Sequence, residues 1–196
     1  MELNPLTALS PIDGRYARQT DALRDIFSEC AFMNARVRVE VEWLISLSEA
    51  GFAELPHLSD HGKAFLRGLA DNFSLADCEA IKEIEKTTNH DVKAVEYWIK
   101  NQVAHDEELK SASEFVHFSC TSEDINNTSH AIMLKRGREA LADYLQQIHD
   151  TIAGFAHQWA EIPMLSRTHG QTASPTTVGK EFANVAVRLE RVIEVI

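Results

Sequence analysis

Cysteine is scarce: Cys30, Cys78 and Cys120 are the only three in 196 residues, and they form no CxxC pair and no metal-ligand spacing. Such an odd, scattered set is expected to be reduced thiols in a cytosolic protein. Basic charge is short as well. Nineteen Lys and Arg face 30 Asp and Glu, for a net charge of −11. No Lys/Arg cluster is long enough to build the basic face that a nucleic-acid binder needs. No apolar run approaches the ~20 residues required to span a bilayer, so no membrane partner is expected. The opening Met1-Glu2-Leu3-Asn4-Pro5 lacks the basic region and apolar run of a secretory signal. Also missing are GxGxxG, a phosphate-binding P-loop, the GxSxG elbow and HExxH, which removes the standard signatures of nucleotide-fold, serine-hydrolase and zinc-protease chemistry. There is no alternating strand pattern and no fixed-period repeat.

What is present has the helical period almost throughout. With 44% hydrophobic and 25% charged residues, the composition suits one sizeable core or one and a half domains. Leu3 to Tyr16 is broken by Pro5, Pro11 and Asp13-Gly14. A helix is expected from about Asp21 to Ala50, stopped by Gly51. Ser59 can cap a helix through Phe73, and Ser74 with Asp77 forms a capping box for the next. That helix breaks at Thr87–Asp91, and a new stripe, Val92, Val95, Ile99 and Val103, follows. Glu107–Ser113 reads as a polar junction. Ser122 to Glu161 reads as one long helix that Pro163 stops. Ser174-Pro175 is expected to open the last helix, with Pro in its first turn. Val178, Phe182, Val185, Leu189, Val192 and Ile196 then form a heptad seam, the pattern of helices packed side by side. The stripe is still in register at Ile196, so the sequence is expected to be the N-terminal part of a longer protein. The fold class expected is all-α, with an N-terminal helical domain over residues 1–110 and the first part of a long-helix central bundle over 111–196.

Four polar clusters punctuate these helices. Ser10–Tyr16 is either a surface turn or an anion site, where Arg15 offers a planar fork of donors and Tyr16 a hydroxyl. Thr88–Asp91 is a helix break with Asn89 or Asp91 as N-cap. A helix start also supplies free N–H groups for an anion, with His90 beside them. His117–Asp124 contains a second capping box, Thr121 with Asp124. The Thr121 and Ser122 hydroxyls, at a helix start, suit a carboxylate. Ser166–Gln171 places His169 in a polar connection, where an imidazole can transfer a proton near neutral pH. Histidine-aspartate pairs at 90–91, 105–106 and 149–150 evoke helical metal phosphohydrolases, but no dense ligand cluster accompanies them.

Taken together, SPIDGRY (10–16), TTNHDVKAVEY (87–97), FVHFSCTSEDINN (115–127) and SRTHGQ (166–171) with Lys180-Glu181 resemble, in order and spacing, the adenylosuccinate lyases, a family within the fumarase/aspartase superfamily. Thr172 departs from the Pro often found there. The resemblance implies β-elimination of fumarate from adenylosuccinate and from the succinyl-carboxamide ribotide of purine synthesis, with no metal and no organic cofactor. It implies His169 as general acid and Arg15 and Tyr16 on the phosphate side. Asn89, His90 and Asp91 would line the substrate site. Thr121 and Ser122 would take the succinyl part, with Gln171 as a further contact and His117 behind them. The catalytic base of the family is a serine in a mobile-loop signature that this sequence does not contain. The resemblance further implies a cytoplasmic homotetramer whose sites each draw on three subunits. The readings it competes with are a helical oligomerisation module without an active site and the metal phosphohydrolase.

Overall fold

Ser28 decides where the first long helix begins. The computed structural model describes residues 6–52, 54–55 and 57–196, so the irregular stretch expected at Leu3–Pro5 lies outside the described residues. Residues 10–20 form turns, in which the Tyr16 N–H donates to Pro11 O at 2.8 Å. The single helix expected from Asp21 to Ala50 is in fact divided. A 3-10 turn at Asp21–Leu23 leads into α1 (Arg24–Phe27), and the backbone then extends at Ser28, with ψ 163°. The Ser28 hydroxyl accepts the Ala31 N–H at 3.1 Å and so caps α2 (Glu29–Glu49). A short polar side chain that can bond its own backbone competes with the helix even inside an apolar period. Gly51 then terminates α2 with φ +79°.

The next two caps follow the expected punctuation. Ser59 accepts the Gly62 N–H at 3.0 Å and opens α3 (Asp60–Asp71). Ser74 donates its N–H to Asp77 at 2.8 Å and opens α4 (Leu75–Thr88). α5 (Asp91–Val103) follows the expected break. The stretch read as a polar junction is instead α6 (Glu107–Ala112), capped by Asp106, which accepts the Leu109 N–H. Two apolar residues three apart, Leu109 and Ala112, are both fully buried, and that is enough to seat a helix of little more than one turn. A 3-10 turn (Ser113–Phe115) and an irregular segment lead to α7 (Ser122–Gln158).

The chain forms two compact units, residues 1–136 and 137–196. In the first, α2 runs through the core: Val37, Val41 and Leu44 pack with Leu66 of α3, Ile81 of α4, Val95 and Ile99 of α5 and Leu109 of α6. Burying such side chains stabilises by roughly 1.5–3 kcal/mol each before conformational entropy is counted. The packing of α4 on α2 also joins Cys30 to Cys78 in a disulfide. The expectation of three reduced thiols is therefore corrected: only Cys120 is free. A separation of 48 residues gave no hint of a contact that only tertiary packing creates.

The second unit contains what the helical period concealed. Pro163 does end the α7 pattern, but the chain continues as an antiparallel hairpin, β1 (Pro163–Thr168) and β2 (Gln171–Thr177), paired from Pro163 with Thr177 to Thr168 with Gln171. The helix start expected at Ser174-Pro175 is thus corrected. Pro175 sits in β2 opposite Leu165, and α8 (Val178–Ile193) begins only after Thr177, whose hydroxyl accepts the Lys180 N–H. Proline is tolerated there because both strands of a two-stranded ribbon are edges.

The base of the hairpin is clamped. The Val178 N–H donates to Ile162 O and the Gly179 N–H to Trp159 O, each at 2.9 Å. A Cβ on Gly179 would lie 2.3 Å from the Ala156 carbonyl oxygen, so glycine is needed for this approach of α8 to α7. Phe155 and Trp159 stack beside the clamp and Phe182 meets both edge-on, with ring centroids 4.7–5.7 Å apart. Val185, Val192 and Ile196 of the expected seam are exposed in the single chain. No helix among the described residues is long and apolar enough to cross a membrane.

Candidate active site

Left-handed backbone at a residue other than glycine is unfavourable and persists where surrounding structure enforces it. Among the described residues it occurs at Asn89, His117, Ser119 and His169. All four fall inside the polar clusters that the sequence singled out, two of them in the third cluster.

Asn89 ends α4 with φ 49°, its N–H bonded to Glu85 O at 2.8 Å. The chain can then reverse into α5, whose N-cap is His90 rather than Asn89 or Asp91. The imidazole Nδ1 accepts the Lys93 N–H at 3.1 Å, because it reaches the third amide of the helix much as a capping oxygen does. The other ring nitrogen, Nε2, lies 3.3 Å from the Ser122 hydroxyl at the first residue of α7. Thr121 precedes it and gives both its N–H and its hydroxyl to Asp124, at 2.7 and 3.1 Å. The expected second capping contact is present. The N-termini of α5 and α7 are thereby brought together, through the N-cap of one and the first residue of the other.

Behind this junction stands a residue the sequence reading did not single out. Arg36 of α2 is 5% exposed. Its guanidinium meets Asp91 at 2.5 Å and Asn126 at 2.9 Å, and lies 3.9 Å from the centre of the Phe32 ring. Phe32 in turn stacks on His130 at 4.5 Å. Burial would raise the Asp91 carboxyl, but the Val92 amide and the Arg36 guanidinium overcome it and hold the carboxyl below the usual range. A cleft of about 450 Å³ is lined by Phe32, Arg36, Asn89, His90 and Asp91, with Glu29 and Glu85 among its other walls.

Glu40, one turn further along α2, was also missed. Its Oε1 is 2.6 Å from His117 Nδ1. Burial pushes the Glu40 carboxyl up, against the pull of His117. A signal for both residues existed: Arg36 and Glu40 occupy the buried face of α2 beside Val37 and Val41, where a charge is out of place unless partnered. Burial, aided by Glu40 and Asp124, raises the Cys120 thiol, which is the opposite of an activated nucleophile.

The other designated residues stand in separate places. Arg15 and Tyr16 belong to the exposed N-terminal turns, with the guanidinium 5.6 Å from the Tyr16 ring centre. His169 and Gln171 belong to the second unit. His169 (φ 49°) and Gly170 (φ 74°) are the two central residues of the hairpin turn, the left-handed pair of a type I′ connection. The imidazole is therefore exposed at the tip of a ribbon, with Gln171 opposite Thr168 beside it.

The histidine-aspartate pairs do separate local jobs. His90 caps α5, Asp106 caps α6, and His149 bonds Asp150 on α7. Among the described residues no group of three or more His, Cys, Asp or Glu is placed to hold a metal ion.

A family model described as "Lyase" matches residues 14–196. The chain is 54% identical over 193 residues to adenylosuccinate lyase of Vibrio cholerae serotype O1, covering 97% of this chain and 42% of that protein. The corresponding enzymes of Haemophilus influenzae and Escherichia coli strain K12 are 55% and 53% identical with the same coverage. The chain therefore spans about two fifths of the length of the curated relatives it matches. Among solved structures, a fumarate lyase from Mesorhizobium sp. BNC1 superposes with a TM-score of 0.67 at 21% identity, over 88% of this chain and 40% of the other. A 3-carboxy-cis,cis-muconate lactonizing enzyme from Pseudomonas putida gives 0.70 at 22% identity, over 89% and 38%. At that identity the likeness is one of fold.

Proposed function

The chain belongs to the lyase family whose model it matches, and from that premise we propose that it supplies the first part of an adenylosuccinate lyase, which eliminates fumarate from adenylosuccinate to give AMP and acts likewise on the succinyl-carboxamide ribotide of purine synthesis. The observation that carries this reading is the 53–55% identity to three adenylosuccinate lyases over 97% of the chain. The junction of the α5 and α7 N-termini supports it, because a substrate with a phosphate and two carboxylates needs converging hydrogen-bond donors.

In the proposed mechanism Thr121, Ser122 and the free N–H groups of α7 hold the succinyl carboxylates. His90 lies beside them, with Asn89 and Asp91 in the same wall. Arg15 and Tyr16 meet the phosphate. The reaction removes a proton from the carbon next to a carboxylate and then breaks the C–N bond. Charge developing on that carboxylate is stabilised by donors already in place. His169 gives its proton to the departing nitrogen, with Gln171 as a further substrate contact. The base that takes the carbon-bound proton is a serine outside these 196 residues, so the isolated chain is proposed to be inactive. No cofactor is required by this chemistry.

The working form is a cytoplasmic homotetramer in which partner chains cover the apolar positions exposed here, among them Leu134, Tyr144 and Ile148 of α7 and Val192 of α8. In it, residues 111–196 open the central bundle and residues 1–110 form the domain before it. The test is release of fumarate from adenylosuccinate by the full-length protein, followed by absorbance. Absence of turnover by folded, tetrameric protein overturns the reading, and turnover by the purified 196-residue chain overturns the assignment of the base.

A further inference from the structure

We propose that Glu40 is a positioning residue: through His117 it holds the left-handed segment that presents Thr121 and Ser122 at the start of α7. The inference rests on the reading of that helix start as the substrate-binding end.

Three observations carry it. The first is placement. Glu40 is 1% exposed and sits on the core face of α2, yet its Oε1 is 2.6 Å from His117 Nδ1. The second is the state of the other oxygen. Glu40 Oε2 is buried and has no hydrogen-bond partner. A carboxylate with one bare oxygen is a poor way to fill a core, because the unpaired oxygen loses its hydration without replacement. An apolar side chain of similar length would serve packing better, so packing does not account for Glu40. The third is what His117 does to the chain. It has φ 64°, and Ser119 two residues later has φ 61°. Left-handed backbone is uncommon at any residue but glycine, and two such positions within three residues need surrounding structure to hold them.

The segment between α6 and α7 is pinned at successive points from α2 and α7. Glu40 holds the His117 ring, Trp43 Nε1 donates to Phe118 O at 2.8 Å, and Asp124 holds Thr121. Glu40 and Trp43 are one helical turn apart on α2, so a single rigid helix sets the path of residues 117 and 118. Releasing the first point lets His117 and Ser119 relax towards ordinary backbone angles. That moves Thr121 and Ser122, and with them the contact to His90, while the hydrophobic core beneath is unchanged.

The experiment pairs two substitutions in the full-length protein. Glu40→Gln keeps a hydrogen-bonding atom at the same reach; Glu40→Met keeps the volume and removes the bond. Glu40→Met is expected to raise KM for adenylosuccinate about tenfold or more, since displacement of binding groups by about 1 Å has effects of that order or greater. Glu40→Gln is expected to stay within about threefold of the wild type. A purely structural role would lower the folded fraction, and so kcat, and leave KM alone.

His117→Phe completes a cycle. If the two residues act as one device, the double variant with Glu40→Met is no worse than the poorer single variant. Unchanged KM in Glu40→Met, or effects that multiply in the double variant, overturn the proposal. If the folded wild type shows no lyase activity, the functional reading fails by itself. The positioning claim is then decided by the amide resonances of Ser119, Thr121 and Ser122, which must shift in Glu40→Met and not in Glu40→Gln. Spectra in which neither variant shifts them overturn it.

Discussion

His90 Nε2 lies 3.3 Å from the Ser122 hydroxyl although 32 residues separate them. Nδ1 of the same ring is engaged by the Lys93 N–H, so the neutral imidazole carries its proton on Nε2 and donates it to the serine oxygen. The serine proton is then left to point at an incoming oxygen. Ser122→Ala should therefore raise KM for adenylosuccinate about tenfold, the effect of losing one hydrogen bond to a charged group after partial compensation by solvent. Steady-state kinetics on the full-length protein check this. An unchanged KM removes Ser122 from the binding set.

His169→Asn tests the acid role proposed for the hairpin tip. Asparagine accepts the left-handed conformation recorded at this position (φ 49°) and keeps the turn, but it has no transferable proton. The expected outcome is a loss of roughly 10²–10⁴-fold in kcat with KM changed far less. A near-normal kcat in a folded tetramer would hand the acid role to His90 or His117.

Arg15→Ala should act the other way. The phosphate it is proposed to hold does not react, so its contribution is equal in ground and transition states and appears in KM. Loss of one charge-assisted bond, roughly 1.5–3 kcal/mol, predicts a rise of about tenfold to a hundredfold. Collapse of kcat at constant KM is the contrary result.

Asp91 links the site to pH. Its carboxyl is held below the ordinary value of 3.8 in the folded chain. A depressed acid stabilises the fold above its unfolded pKa and loses that contribution as pH falls through the folded value. Asp91→Asn should lower Tm at pH 7, because the buried Arg36 loses its carboxylate partner. About 1–3 kcal/mol is expected, below the usual figure for a buried pair since Asp91 is half-exposed. The gap between variant and wild type should close as pH falls through the depressed folded-state value, below 3.8. A gap that persists there would mean that Asp91 acts through packing rather than charge.

The Cys30–Cys78 bond predicts one reactive thiol per chain in denaturant without reductant, and three after reduction. Closing a loop of 48 residues is worth at most about 4 kcal/mol, so reduction should lower Tm by several degrees. Three thiols before reduction would be the contrary result.

The helices could be read from sequence because Ser59, Ser74 and Gly51 mark their ends with local chemistry that needs no tertiary partner. The hairpin could not. No residue of its strands is fully buried, so no buried face imposes an alternating apolar pattern on the sequence. Pro175 then imitates the start of a helix. In the site, the polar clusters were visible because they interrupt the helical period. Arg36 and Glu40 were hidden because their partners, Asp91 and His117, are 55 and 77 residues away.

The narrow approach of α8 to α7 at Gly179 gives the hairpin a fulcrum. From the two hydrogen bonds at Ile162 and Trp159 to the turn is a lever the length of β1, six residues and on the order of 20 Å. A rotation of a few degrees at the fulcrum displaces the tip by about an ångström, with no change in the ribbon itself. Where His169 stands is thus decided far from His169, by the absence of a single carbon atom at position 179. A methyl group added there would tilt the whole arm.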